Sequence, residues 1–480
     1  MAPRRTDLPS PALLALLDDW LPGRRWYPVK GVEVRHVPWI SFALDEPDGA
    51  PRATGGAPRV VLHLLRLVGD GVELVVQVPV VLEPDDAAVT VGPSRIGEVV
   101  EDGVTWVVHD GAAHPAGWAA LLAASAWDDA APAAVDLEGG RALAVEQSNS
   151  SVLLPGTAGG TMLKVLRAIA IGPNPDLTIP RALAAQGWAG VPRPLAWLEV
   201  TWGPEDDAAA RPERALPGPD PEADGGPGSA PERSAHLAIL SEFVDGARDG
   251  FDLACAYAGQ DASFADLAVD LGRVLADLHA ALREAFGTGS PVDAPWLVAD
   301  LRRRSDEAVA SSRALARRAE AVAAFWDRTA ARLEGVTRVP DALPRLQTVH
   351  GDLHLGQVLH ARRFGWKVLD FEGEPLRPVA ERTRPDLALR DVAGIVRSFD
   401  YAAAVGRATN PGWAVQARSA FLDAYARADT AGVDRETSEA LVRALTLDKA
   451  LYEVVYESRN RPDWEPIPLA AVDRLVAGDG

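Results

Sequence analysis

Val349-His350-Gly351-Asp352-Leu353-His354-Leu355-Gly356-Gln357-Val358-Leu359, followed by Lys367-Val368-Leu369-Asp370-Phe371-Glu372, is the stretch on which the reading of this chain turns. Asp352 and Gln357 stand five residues apart, and Asp370 ends a short apolar run. Transfer of a phosphoryl group needs a carboxylate to orient the attacking hydroxyl. It also needs hard oxygen ligands that hold Mg²⁺ against the phosphate charge. Asp352 suits the first task. The amide oxygen of Gln357 and the carboxylate of Asp370 suit the second. Gly-Asp alone is also an ordinary turn pair, so the reading rests on the three elements together. His350 and His354 admit a zinc reading, but no convincing third ligand accompanies them.

Upstream, Gln147-Ser148-Asn149-Ser150-Ser151-Val152 lies between two β-like segments. Small polar residues there let a hairpin backbone approach phosphates, though an ordinary turn has the same composition. Lys164 interrupts the apolar run Met162-Leu163-Lys164-Val165. A lysine in such a strand is unusual unless it is paired, so it is a candidate for the α- and β-phosphates, with an edge-strand lysine as the plain alternative. Glu242-Phe243-Val244 falls where backbone groups would meet adenine. The candidate ATP contacts are thus Ser148, Asn149, Ser150, Ser151, Lys164, Glu242 and Val244.

The rest of the chain supplies the frame. Leu13, Leu14, Leu17 and Leu21 recur at helical spacing and are stopped by Pro22-Gly23. Val34 to Ala43, Val60 to Leu67, Val72 to Leu82 and Val104 to Val108 read as strands, giving a β-rich unit of roughly 130 residues. A second β-rich stretch runs from Leu143 to Val165, with a helix over Asn174 to Gln186 and pairing strands at Val191 to Val200 and His236 to Phe243. Between those strands, Gly203 to Ser234 is dense in Pro, Gly, Asp, Glu and Ala and reads as a disordered insertion. From Ser263 the pattern is helical, with Ala308 to Leu333 as one long helix and further helices at Leu387 to Tyr401, Trp413 to Ala428 and Thr437 to Tyr456. β-rich segments followed by helical ones predict an α+β fold. The expected division is 1–132, 133–245 and 246–480, with the insertion at about 203–234.

Composition narrows the classes. Of 480 residues, 48% are apolar and 6% aromatic, enough for a sizeable core. A formal charge of −20 argues against nucleic acid or an anionic membrane as partner. The single cysteine, Cys255, allows no intrachain disulfide and suits a reducing cytoplasm. No apolar signal region or membrane-spanning run is present, so the expected location is the cytoplasm.

With these motifs in place, the chain resembles the aminoglycoside-phosphotransferase-like branch of the protein-kinase-like superfamily, and more closely the actinobacterial maltokinases. The matching segments beyond the core motifs are Arg25-Trp26-Tyr27, Gly172-Pro173-Asn174-Pro175-Asp176 and Glu372-Gly373-Glu374-Pro375. They continue through Arg390 to Gly394, Arg397 to Ala402, Tyr452 to Glu457 and Asn460 to Trp464. The resemblance implies a bilobal kinase-like fold with a β-rich N-terminal cap domain and an all-α C-terminal lobe. It implies ATP and Mg²⁺ as cofactors and transfer of the γ-phosphoryl to the anomeric hydroxyl of maltose, giving maltose 1-phosphate for α-glucan synthesis from trehalose. A trehalose synthase becomes a candidate partner, and a monomer is expected.

The candidate substrate contacts are His350, His354, Glu372, Tyr452, Tyr456, Glu457, Arg461 and Trp464. On a helix, Tyr452, Tyr456 and Glu457 are neighbours, and a sugar wants an aromatic platform with planar hydrogen-bonding groups. Core packing of the tyrosines and a surface pair of Glu457 with Arg461 is the alternative. One departure concerns Lys164: where relatives place a pairing glutamate, this chain has Thr178, leaving Asp176 as the nearby carboxylate. Two other functions stay open, another sugar, glucosamine or aminoglycoside kinase, and a non-catalytic nucleotide-binding scaffold.

Overall fold

Alternation within the early strands builds the first sheet. On strand β3 (Arg59–Gly69), Val60, Leu62 and Leu64 point to one face while Leu65 and Leu67 point to the other, and all five are buried. The computed structural model describes residues 2–44, 58–85, 93–130, 135–143, 148–203, 206, 233–336, 343–373 and 384–478. Gln147, Glu374, Pro375 and nearly all of the 203–234 insertion therefore lie outside the described residues. The chain forms two compact units, Met1–Thr178 with Arg193–Phe243, and Ile179–Pro192 with Val244–Gly480.

The first unit holds two six-stranded antiparallel sheets. One has the order β1 (Arg4–Arg5), β2 (Val34–Ala43), β3, β4 (Val72–Pro84), β6 (Val104–Asp110), β5 (Arg95–Glu101). Its hairpins close at Asp70-Gly71 and Asp102-Gly103, Asp-Gly pairs of the kind that two-residue turns favour. Asp102 and Gly103 have φ of 51° and 77°, as a type I′ turn requires of both central residues. The helix Pro11–Trp20 packs Leu13 and Leu17 on one face of the sheet, against Leu65, Leu67, Val76 and Val78.

The second sheet runs β7 (Ala126–Trp127), β11 (Pro194–Trp202), β12 (Arg233–Glu242), β10 (Thr161–Val165), β9 (Ser150–Leu154), β8 (Arg141–Ala142). The two sheets share one core, because Ile40, Leu62 and Leu64 meet Leu163, Leu198 and Leu240. Buried Gln77 adds directional ties by donating to the carbonyls of Leu166 at 2.9 Å and Leu237 at 3.1 Å. Arg167 is held by Asp110 at 2.6 Å and lies over the Trp26 ring at 4.2 Å, which accounts for the tryptophan of the Arg25-Trp26-Tyr27 segment.

The second unit is mainly helical, with strands β13 (Arg248–Asp249), β16 (Val358–Ala361) and β17 (Gly365–Val368) in one small sheet and β14 (Thr288–Pro291) with β15 (Arg345–Gln347) in another. The helices Leu389–Gly406, Trp413–Ala428 and Arg435–Asn460 form where periodicity placed helices. The long helix expected over Ala308 to Leu333 is instead Ala294–Ser311, Arg313–Ala316 and Ala319–Val336. Ser312 adopts an extended conformation, and its hydroxyl accepts from the Leu315 N–H. Serine competes for local backbone donors in this way, and apolar periodicity does not register it. No helix among the described residues is long and apolar enough to cross a membrane.

Candidate active site

In the first unit, the strand register carries Lys164 opposite Ser151 on β9 and Ile239 on β12. Its ammonium meets Asp176 at 2.6 Å, both side chains being mostly buried. Asp176 is set by Asn174, whose side-chain oxygen accepts from the Asp176 N–H at 2.8 Å as the helix Pro175–Ala185 begins. The lysine therefore has a carboxylate partner in the first helical turn, two residues before Thr178.

The expected phosphate loop has a second duty. The Asn149 side-chain oxygen accepts from the Arg167 N–H at 3.0 Å, and the Ser150 hydroxyl accepts from Arg167 Nε at 2.8 Å. These side chains anchor Arg167. Ser148 is exposed, and Ser151 is partly buried on β9. Glu242 accepts from the Arg193 N–H at 3.2 Å, and its own N–H donates to the Arg193 carbonyl. Val244 begins a segment of the second unit and is buried.

In the second unit, the residues around Asp352 are fixed by one buried carboxylate. Asp391 is 1% exposed and accepts from the N–H groups of His350 at 2.9 Å and Gly351 at 3.0 Å, while His279 Nε2 lies at 3.2 Å. Burial alone would raise its pKa, but the His279 hydrogen bond, the neighbouring histidines and the His350 N–H hold the carboxyl below its ordinary value. Gly394 brings the Asp391 helix against the loop: a Cβ there would lie 2.0 Å from the Leu353 carbonyl oxygen. The Ser398 hydroxyl accepts from the Leu355 N–H on the same side.

His350 links the two halves of the motif. Its Nδ1 accepts from the Asp352 N–H at 3.3 Å, which leaves the proton on Nε2, and Nε2 donates to the Leu369 carbonyl at 2.7 Å. The ring also packs on Phe371, with centroids 4.9 Å apart. Both nitrogens, expected to meet substrate, are thus engaged by backbone. His354 accepts from the Gly356 N–H at 3.0 Å, and burial lowers its pKa.

Gln357 and Asp370 come together as the spacing suggested, with the Gln357 amide donating to Asp370 Oδ2 at 3.0 Å. Asp370 has φ of 62°, a left-handed conformation that costs a non-glycine residue about 1–3 kcal/mol. The Asp370 carboxylate, with the Gln357 amide oxygen once that amide turns from Asp370, would be a hard donor set suited to a magnesium ion. Glu372 follows, partly buried.

Along the helix Arg435–Asn460, Lys449 reaches Asp352 Oδ1 at 3.2 Å. Sequence reasoning missed this lysine, although it lies three residues before Tyr452 on the same helical face. Tyr452 and Tyr456 are 36% and 38% exposed and stacked at 6.2 Å. Glu457 is buried: it accepts two hydrogen bonds from Arg461, at 2.9 and 2.7 Å, and one from the Tyr401 hydroxyl at 3.1 Å. Arg461 lies over Trp464 at 4.2 Å and Tyr456 at 5.7 Å. A small cavity beside Asp352 is walled by Arg304, Arg390, Asp448, Lys449 and Tyr452.

A loop aspartate beside a glutamine–aspartate pair, and a strand lysine paired with a helix aspartate, are residue types that a phosphotransferase uses. Residues 230–438 match the phosphotransferase enzyme family, and residues 20–113 match the maltokinase N-terminal cap domain. The chain is 31% identical to a glucosamine kinase of Mycolicibacterium smegmatis (strain ATCC 700084 / mc(2)155) over 358 residues, covering 70% of this chain and 80% of that protein. It is 29% identical to a glucosamine kinase of Streptacidiphilus jiangxiensis over 366 residues, 72% and 75% of the respective chains. The solved structure of a glucosamine kinase in complex with glucosamine, ADP and inorganic phosphate shares the fold, with a TM-score of 0.60 and 22% identity over 97% of this chain and 99% of that one. The chain belongs to the phosphotransferase enzyme family, as a maltokinase-like member carrying the maltokinase-type cap. It is an ATP-dependent sugar kinase.

Proposed function

We propose that the protein transfers the γ-phosphoryl group of ATP to a hydroxyl of a small uncharged sugar, with maltose and its anomeric hydroxyl as the first candidate. Maltose 1-phosphate would then supply α-glucan synthesis. The observation that carries the choice of acceptor class is the Lys449–Asp352 pair at 3.2 Å. An acceptor amine is drawn to an unpaired carboxylate; here a lysine already neutralises the orienting one. The adjacent wall adds no anion that lacks a cation, since Arg304 and Arg390 both contact Asp448, at 3.0 and 3.3 Å. Hydroxyl groups suit such a surface better than an ammonium group does. The cap-domain match supports maltose among neutral sugars.

In this reading Asp352 orients the attacking hydroxyl and takes its proton late in transfer. Lys164, held by Asp176, binds phosphate oxygens, and the Ser148 to Ser151 segment lends backbone N–H groups. Gln357 and Asp370 would hold the magnesium ion, which neutralises phosphate charge when bound. His350 and Asp391 keep the loop in place. Tyr452, Tyr456 and Trp464 offer rings to the sugar, and Arg461 is oriented by Glu457. Rate acceleration then comes from positioning and charge stabilisation.

The curated relatives, named glucosamine kinases, favour a second reading with glucosamine as acceptor. ATP turnover on maltose, glucose, glucosamine and kanamycin separates the two, with the position of the new phosphate read by NMR. A glucosamine kcat/KM above that for maltose overturns the first reading.

A further inference from the structure

Three side chains in the cap converge without a part in phosphoryl transfer. Glu83 lies on β4, His109 on β6, and His114 precedes the helix Pro115–Ala124. Glu83 Oε2 is 3.5 Å from His109 Nε2, and Glu83 Oε1 is 3.5 Å from His114 Nε2. The three candidate donor atoms all lie within 4.8 Å of one another. His109 is 1% exposed, His114 is 7%, and the Glu83 side chain is 17%.

These separations are long for hydrogen bonds. They do match the spacing of ligands around one ion: donors ~2.0–2.1 Å from a tetrahedral zinc lie roughly 3.4 Å apart. We propose that Glu83, His109 and His114 form a binding site for a divalent transition metal of the zinc class, separate from the phosphotransfer centre, with water completing the coordination.

The chemistry around the donors agrees. Two imidazoles with one carboxylate, and a fourth position for water, is a recurrent zinc donor set. His109 Nδ1 lies 3.2 Å from the Ser94 hydroxyl, which can accept its proton and leave the Nε2 lone pair facing Glu83. His114 Nδ1 instead accepts from the Ala116 N–H at 3.2 Å. Ligation through Nε2 moves the His114 proton to Nδ1 and breaks this long capping bond. Arg95 adds positive charge near His109, but it is paired with Glu98. Such a site would clamp β4 to the end of β6 and the start of the helix that follows it.

The test uses the full chain, stripped with a strong chelator and free of nucleotide. Zn²⁺ and Co²⁺ are titrated by calorimetry and visible absorption. The expected result is one equivalent bound, a four-coordinate cobalt spectrum with imidazole ligation by X-ray absorption, and a rise in Tm of roughly 5–10 °C at metal 100-fold above Kd. Glu83→Gln and His109→Gln should each lose binding by 10-fold or more, while His36→Gln and Asp370→Asn keep it. X-ray absorption on the unaltered chain needs no variant to fold. Absence of saturable binding, an all-oxygen shell, or undiminished binding in folded Glu83→Gln and His109→Gln variants overturns the site.

Discussion

Replacing Asp391 with asparagine tests how the loop that carries Asp352 is held. Three donors now share two oxygens: Gly351 N–H on Oδ1, and His350 N–H with His279 Nε2 on Oδ2. Asparagine keeps one oxygen. If it takes the Oδ2 position, the new NH₂ faces the Gly351 N–H; if it takes the Oδ1 position, two donors lose their acceptor. The better case leaves one buried donor unpaired, at about 1–3 kcal/mol, and also removes the charge from the remaining bonds. Denaturant unfolding should therefore show a loss of at least that size.

Catalysis should suffer separately. Gly351 precedes Asp352, and a misplacement of about 1 Å costs on the order of 10²-fold in rate. The expected pattern in Asp391→Asn is kcat down by about that factor with the nucleotide Kd unchanged, a split that simple destabilisation does not produce. The pH dependence has a definite sign. The folded carboxyl titrates below its unfolded value, so its stabilisation is complete above pH ~3.9 and is lost as pH falls through the lower folded pKa. Asp391→Asn should flatten this acid limb. A variant with normal stability and normal kcat would refute the claim that this carboxylate holds the loop.

Asp352→Asn should keep Mg-ATP binding, measured by calorimetry, and lose most turnover; near-normal turnover removes Asp352 from its role. Asp176→Ala removes the 2.6 Å partner of Lys164 and should lower kcat/KM for ATP about 10- to 100-fold, the worth of a charged hydrogen bond, while an unchanged value would mean the pair is only structural. Lys449→Met should raise the glucosamine-to-maltose ratio of kcat/KM, and a ratio unmoved or lowered would count against charge as the discriminator. His63 is buried with its pKa lowered to about 4 by desolvation, so it is neutral in the folded state and its contribution fades as pH falls from ~6.5 towards 4. That is up to about 3 kcal/mol, and a His63→Phe variant whose unfolding free energy falls just as steeply over this range would refute the assignment.

Much of this was legible because it is local. The strands Val60 to Leu67 and Val72 to Leu82 show in their own β-branched runs, and Gln357 meets Asp370 because two short strands return the chain over thirteen residues. Asp391 was legible only as part of a matching segment. Its function runs through backbone N–H groups about forty residues away, and backbone donors leave no mark in side-chain patterns. Lys449 was hidden for a different reason: it is an ordinary charge on a mostly polar helix until the fold sets it against Asp352. The question raised by Thr178 had a geometric answer. Asn174 starts the helix early enough that Asp176, in its first turn, already faces Lys164.

The residues that transfer a phosphoryl group and those that choose its acceptor are therefore readable to different degrees. The first set must meet a fixed chemistry, a metal, a phosphate and a hydroxyl, so its residue types and spacing are constrained. The acceptor side has no such fixed pattern. Tyr452, Tyr456 and Trp464 could serve many sugars, and Glu457, the most suggestive carboxylate of the group, is buried under Arg461 and Tyr401. Discrimination between a neutral sugar and an amine then falls to the net charge around Asp352. On the proposed reading one cation, Lys449, on an otherwise ordinary helix sets that charge, and because it touches Asp352 its exchange should alter acceptor preference and turnover together.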